Sequence, residues 1–136
     1  MILLDINYRP QTWKAPKFSK KGAYDCMYKE KRDVTLLIRS QYVGEIIKGP
    51  VSAVIKFYFT PPKSSPKKKL PLYYANSIPC LKKMDCTNMQ KFIEDCMQGI
   101  IIENDSQVTS ISSEKLWGTR DHMLITINRV FTSEFE

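Results

Sequence analysis

The sequence predicts one α+β domain, a mixed and mostly antiparallel sheet packed against two main helices. Three observations lead there. From Val51 to Thr60 the chain alternates cleanly, with Val51, Ala53, Ile55, Phe57 and Phe59 on one side and Ser52, Lys56 and Tyr58 on the other, the period of a half-buried strand. Met89, Phe92, Ile93, Cys96, Met97 and Ile100 recur at i, i+3, i+4, i+7, the stripe of a helix that faces a sheet. No repeat or boundary divides the 136 residues into more than one domain, and that length buries a core without staples.

The other elements follow in order. Ile2–Ile6 reads as a first strand, and the segment from Arg9 to Lys17, punctuated by Pro10 and Pro16, as a basic loop. Ser19–Gly22 continues that loop as a turn. A looser helical period runs from about Tyr24 to Ile47 and stops at Gly49-Pro50. Pro61-Pro62 ends the alternating strand, Lys63–Lys69 is a loop, and Leu70–Ile78 is irregular or an edge strand. The striped helix spans about Asn88 to Ile101, with Thr87 as N-cap in a Thr87/Gln90 capping box. Two last strands, Gln107–Trp117 and His122–Phe131, are expected to pair as an antiparallel hairpin through Gly118–Asp121.

The formal net charge is +7, and it is unevenly placed: residues 1–69 carry +10 and residues 70–136 carry −3. A basic half beside an acidic half suits a protein that grips a polyanion and also binds cations. Cys26, Cys80, Cys86 and Cys96 form no CxxC pair, and His122 is far from all of them in sequence, so buried free thiols in a reducing compartment are expected rather than zinc. No Gly-rich run precedes a Lys-Ser/Thr pair, which argues against a nucleotide cofactor. The first apolar run is too short for a signal peptide and no stretch reaches membrane-spanning length, so the expectation is a soluble, cytoplasmic protein.

Chemistry concentrates between Lys82 and Val108. Asp85 before the helix and Asp105 in the turn after it are two acidic points that bracket one helix and would meet on a divalent cation if the flanking loops fold back. Taken singly, Asp85 favours the positive end of the helix dipole and Asp105 is a turn residue. Lys91 forms either a surface pair with Asp95 or a cation for phosphate charge in a transition state. Lys67, Lys68 and Lys69 are a solvated loop or phosphate clamps. Trp13, among Arg9, Lys14 and Lys17, is a loop anchor or a stacking surface. His122, with no evident acid partner, is read as structural.

Lys83-Met84-Asp85-Cys86-Thr87-Asn88-Met89, then Lys91, Glu94-Asp95, Gly99-Ile100, Asn104-Asp105-Ser106-Gln107-Val108 and Lys115 resemble the RusA family of Holliday junction resolvases. The likeness is strongest over residues 82–117 and extends more weakly upstream. It implies a RusA-like fold over residues 1–136 and a Mg²⁺-dependent endodeoxyribonuclease, with Mn²⁺ as a second usable ion, working as a homodimer on four-way DNA junctions. Carried over by position, Asp85, Lys91 and Asp105 are implied as catalytic; Asp85, Asp105, Thr87 and Asn104 as metal-binding; and Asn88 as supporting. Lys14, Lys17, Lys20, Lys21, Lys67, Lys68, Lys69 and Lys83 are expected to contact DNA. The sequence departs from the family pattern where Thr87 and Asn104 replace acids and Met84 replaces a proline. Those neutral donors leave room for an alternative, a non-catalytic protein that binds branched DNA on the same fold.

Overall fold

The structure, a computed structural model, describes residues 1–131. Its elements are β1 (Ile2–Ile6), β2 (Lys17–Ser19), β3 (Gly22–Tyr24), α1 (Tyr28–Gln41), β4 (Val51–Phe59), α2 (Leu70–Tyr74), α3 (Cys86–Met97), β5 (Val108–Trp117) and β6 (His122–Arg129). The main sheet has the order β1-β6-β4-β5, and β2 and β3 form a separate two-stranded ribbon. An α+β domain with a mixed sheet is therefore present as expected. Among the described residues only the β4–β5 pair of the main sheet is parallel.

The central strand behaves as its alternation predicts. Val51, Ala53, Ile55, Phe57 and Phe59 are buried on one face, where they meet Leu4 and Ile6 of β1, Met123, Ile125 and Ile127 of β6, and Trp117 of β5. Helices α1 and α3 cover that face with Val34, Ile38, Met89, Phe92, Ile93, Cys96 and Met97. Among the described residues no helix covers the opposite face, where Leu3 and Val54 are exposed. Parallel strands need a long crossover, and the segment carrying α2 and α3 supplies it between β4 and β5.

Several expectations change. β5 and β6 do not pair with each other; β4 lies between them, bonded to both. The physical reason is that β4 is the most continuously apolar strand, so central placement buries it between two neighbours. The residues from Gly118 to Asp121 step around its end: Gly118 N–H donates to the Phe59 carbonyl at 2.8 Å, and Thr60 N–H donates to Asp121 Oδ1 at 2.8 Å. A Cβ at position 118 would stand 3.0 Å from the Tyr58 ring, so glycine suits this crossing.

Helix α1 is shorter than its loose period suggested. Its first residues are preceded by the β2–β3 ribbon, and Tyr42 leaves in extended geometry. Its last residue, Gln41, holds both main-chain groups of Asp5 on the free edge of β1, accepting at 2.9 Å and donating at 2.6 Å. Leu70–Tyr74 is a short helix rather than an edge strand, with Pro71 in its first turn, where a missing N–H costs nothing. Helix α3 begins two residues before the expected Asn88 and ends at Met97. The Met97 carbonyl accepts from Ile100, Ile101 and Ile102 while Gly99 takes a φ of 85°.

Phe57 has no exposed surface and sits in the strand that both neighbours share. Phe57→Ala is expected to cost about 3–5 kcal/mol. A urea titration should give a lower midpoint at unchanged slope.

Candidate functional site

The α3 start is set by Asp85. It is the N-cap, and its Oδ1 accepts from Thr87 N–H at 2.9 Å while its carbonyl accepts from Met89 N–H at 3.0 Å. This corrects the expected cap at Thr87, which is the residue being capped. Gln90 does not reach back either: its amide donates to Glu94 at 3.3 Å and accepts from Ser113 of β5 at 3.2 Å. Lys115, also on β5, donates to the Lys82 carbonyl at 2.7 Å and so fixes the approach to Asp85.

The acidic turn after α3 is built around an amide. Asn104 caps the 3-10 turn Asp105–Gln107, its side chain accepting from Ser106 N–H at 2.9 Å. Gln107 uses its whole hydrogen-bonding capacity. Its Oε1 accepts from the amides of Glu103 and Asn104 at 2.8 and 2.9 Å, and its Nε2 donates to the carbonyls of Ile47 and Gly49 at 2.7 and 2.9 Å. Each such bond stabilises by about 1 kcal/mol, and leaving any member unpaired costs more. The orientation of the Asp105 turn against the entry to β4 thus depends on one side chain whose role the sequence reading did not identify. The only local signal was its place as third residue after an Asn cap.

Lys91 is exposed and lies over the indole of Trp13, its Nζ 3.6 Å from the ring centroid. The loop is tied down as well, because Trp13 N–H donates to the Asn88 carbonyl at 3.0 Å. Trp13 is therefore an anchor in this structure. The surface pair expected between Lys91 and Asp95 is absent among the ion pairs of the described residues. Asp95 faces Lys31 at 3.7 Å, and Lys31 also holds Asp25 at 2.9 Å.

Glu94 joins these parts electrostatically. Burial pushes its carboxyl above the usual range; a hydrogen bond from Gln90 opposes this, the charges of Asp105 and Asp95 add to it, and Lys91 opposes it. Glu94 therefore feels both Asp105 and Lys91. Asp85 stands nine residues earlier, roughly 13 Å along the helix axis. Glu103 is engaged by Lys48. Among the described residues, no three His, Cys, Asp or Glu side chains gather closely enough to hold a metal ion together. The available donors are hard oxygens contributed by one or two carboxylates at a time. That set fits Mg²⁺, which keeps several waters and is commonly held by one or two carboxylates plus substrate phosphate.

The basic residues are all surface groups. Lys14 lies in the Trp13 loop, Lys17 in β2, and Lys20 and Lys21 form the tip of the β2–β3 ribbon, whose six strand residues are all exposed. Lys67, Lys68 and Lys69 form an exposed 3-10 turn leading into α2, and Lys83 is exposed just before Asp85. The four cysteines are free, and burial pushes the Cys96 thiol up to about 12. His122 does have an acid partner: its Nδ1 lies 2.8 Å from Asp5 Oδ1, Arg120 holds Asp5 Oδ2 at 2.7 Å, and Tyr58 stacks on the imidazole. Burial acts to raise the Asp5 carboxyl, but the hydrogen bonds and charges of His122 and Arg120 hold it below its ordinary range. No helix among the described residues is long and apolar enough to cross a membrane.

Because the folded state binds a proton at Glu94 more readily than the unfolded chain, stability falls as pH rises from the ordinary glutamate range through the folded value. The deficit is complete above that value. Glu94→Gln, which keeps an oxygen for Gln90, is expected to raise the thermal midpoint at pH 7. Melting curves across pH should show that gain disappearing below about pH 4, where both side chains are neutral.

Comparison with known proteins bears on the same residues. The sequence profile described as Endodeoxyribonuclease RusA matches residues 7–128. A Bacillus subtilis (strain 168) protein described as "Uncharacterized protein YqaN" is 32% identical over 97 residues, covering 69% of this chain and 68% of that protein. The profile spans the Trp13 loop, the Asp85 cap, Lys91 and the Gln107-braced turn, and the chain belongs to the RusA endodeoxyribonuclease family.

Proposed function

We propose that this protein is a divalent-metal-dependent endodeoxyribonuclease that resolves four-way DNA junctions by paired phosphodiester hydrolysis. The observation that carries the reading is the family match across residues 7–128, which takes in every catalytic position inferred from the sequence. Asp85 and Asp105 would hold Mg²⁺ or Mn²⁺, with Glu94 close enough to Asp105 for their charges to interact. The ion, when bound, neutralises phosphate charge and makes a coordinated water more acidic. Thr87 and Asn104 are weaker candidates as ligands. The Asn104 side chain already caps its turn, and Thr87 is within the first turn of α3.

The chain's own residues account for the remainder. Lys91 places an ammonium where charge develops on the scissile phosphate. The exposed lysines of the Trp13 loop, the β2–β3 ribbon and the Lys67–Lys69 turn grip the duplex arms, with a contribution that falls as salt rises. Asn88 supports the site through its carbonyl, which anchors the Trp13 loop.

Paired incision of a two-fold symmetric substrate calls for a C2 homodimer. The uncovered sheet face is the surface available to a second copy. Leu3 and Val54 are exposed there, beside Thr126 in the strand register, and Lys56 and Glu114 lie opposite one another in the next row. Light scattering should report a dimer for the wild type and a monomer for Val54→Lys, with the circular dichroism spectrum unchanged and a melting temperature that no longer depends on protein concentration.

A second reading keeps the fold and the junction binding but not cleavage. It is favoured by the neutral Thr87 and Asn104 and by the commitment of the Asn104 side chain to a cap. Cleavage of a synthetic four-way junction beside a linear duplex decides between them. Symmetric nicks in Mg²⁺ or Mn²⁺ that fall by at least about a hundredfold in Asp85→Asn and in Asp105→Asn are expected for the nuclease. Tight junction binding with no nicks in either metal would establish the second reading.

A further inference from the structure

Lys91 is held by an aromatic ring rather than by a carboxylate. Its Nζ stands 3.6 Å from the centroid of Trp13, and the ion pairs of the described residues leave it out because Asp95 is taken by Lys31. The difference has chemical consequences. A carboxylate would orient the ammonium and also cancel its charge, whereas the face of an indole attracts it through a quadrupole and leaves its N–H donors on the far side free. An exposed lysine otherwise carries about 2 kcal/mol of rotamer freedom that must be lost before it can serve as a fixed cation.

The ring is itself held. Trp13 is half-buried against the core, and its N–H donates to the Asn88 carbonyl one turn before Lys91 on α3. That anchor is a main-chain bond, so replacing the side chain leaves it in place. The face turned to Lys91 is not available to stack on a base.

We infer that Trp13 is a positioning residue for Lys91: the indole fixes the ammonium beside the start of α3 with no carboxylate in ion-pair contact among the described residues. This rests on the nuclease reading above and adds a residue to it. Trp13 also lies in the loop that carries Lys14 and leads to Lys17, so the residue that aims the cation belongs to the segment proposed to hold DNA.

Two measurements test the inference together. In the folded wild-type protein, the Lys91 ε-CH₂ protons should be displaced upfield of the other lysines by the indole ring current, and Trp13→Leu should abolish that displacement. In junction cleavage, Trp13→Leu should lower kcat about tenfold with KM and junction Kd nearly unchanged. Trp13→Phe, which keeps a π face, should restore most of the loss, and Trp13→Leu should add nothing in a Lys91→Met background. A wild-type spectrum without the upfield signal in an enzyme that nicks junctions overturns the role of Trp13 alone. So does a loss carried by KM and not rescued by phenylalanine, which would mark Trp13 as a DNA-stacking residue. If the wild type binds junctions without nicking while the upfield signal is intact, the nuclease reading itself falls, and the catalytic role of Trp13 with it.

Discussion

The double-sided pairing of β4 is the constraint on which the other parts hang. Val51–Tyr58 pair antiparallel with β6 on one side and Val51–Phe59 pair parallel with β5 on the other, with every second side chain buried. A parallel neighbour obliges the chain to leave one end of the sheet and return to the other. That return path carries α2, α3 and the Asp105 turn. The candidate site is thus made from the crossover that the central strand requires, and β5 braces it through Ser113 to Gln90 and Lys115 to the Lys82 carbonyl.

Short polar side chains then set the local geometry. Asp85 caps α3, Asn104 caps the following 3-10 turn, and both take the acceptor role at an exposed amide. A capping carboxylate retains a second oxygen, so Asp85 can serve the helix and still offer charge to a ligand. A capping amide has only one oxygen and no charge. Asn104 thus serves the turn as well as an acid would, without the charge or the second oxygen of a carboxylate.

Local periodicity was legible in the sequence; pairing was not. The alternation of Val51–Thr60 and the stripe on α3 follow from backbone geometry within a few residues, and both elements stand where those patterns put them. The partner of β5 depends on which strand gains most from a central position, a comparison across the whole chain, and the short link at Gly118–Asp121 fits a hairpin as well as a step around β4. Thr87 and Asp85 are both good caps two residues apart, and local sequence does not select between them. Asp85, Lys91 and Asp105 could be picked out as candidates because they belong to one local motif. The stacking of Lys91 on Trp13, the pairing of Asp5 with His122 and the fourfold bonding of Gln107 join residues distant in sequence, and no spacing rule reveals them.

Gln107 grips its neighbours by their main chain alone: two amides of its own turn and two carbonyls of the segment entering β4. Such a clasp is blind to the side chains at Ile47, Gly49, Glu103 and Asn104. Ile47 is held by the core and Asn104 by its own cap, so the side chain at Glu103 is the one the clasp leaves most open to change. Position 107 itself has almost no such freedom, since a carboxylate would lose both donors and a shorter amide would not span the gap. A joint made through the main chain lets the charge carried at Glu103 change while the scaffold beneath the acidic loop stays untouched.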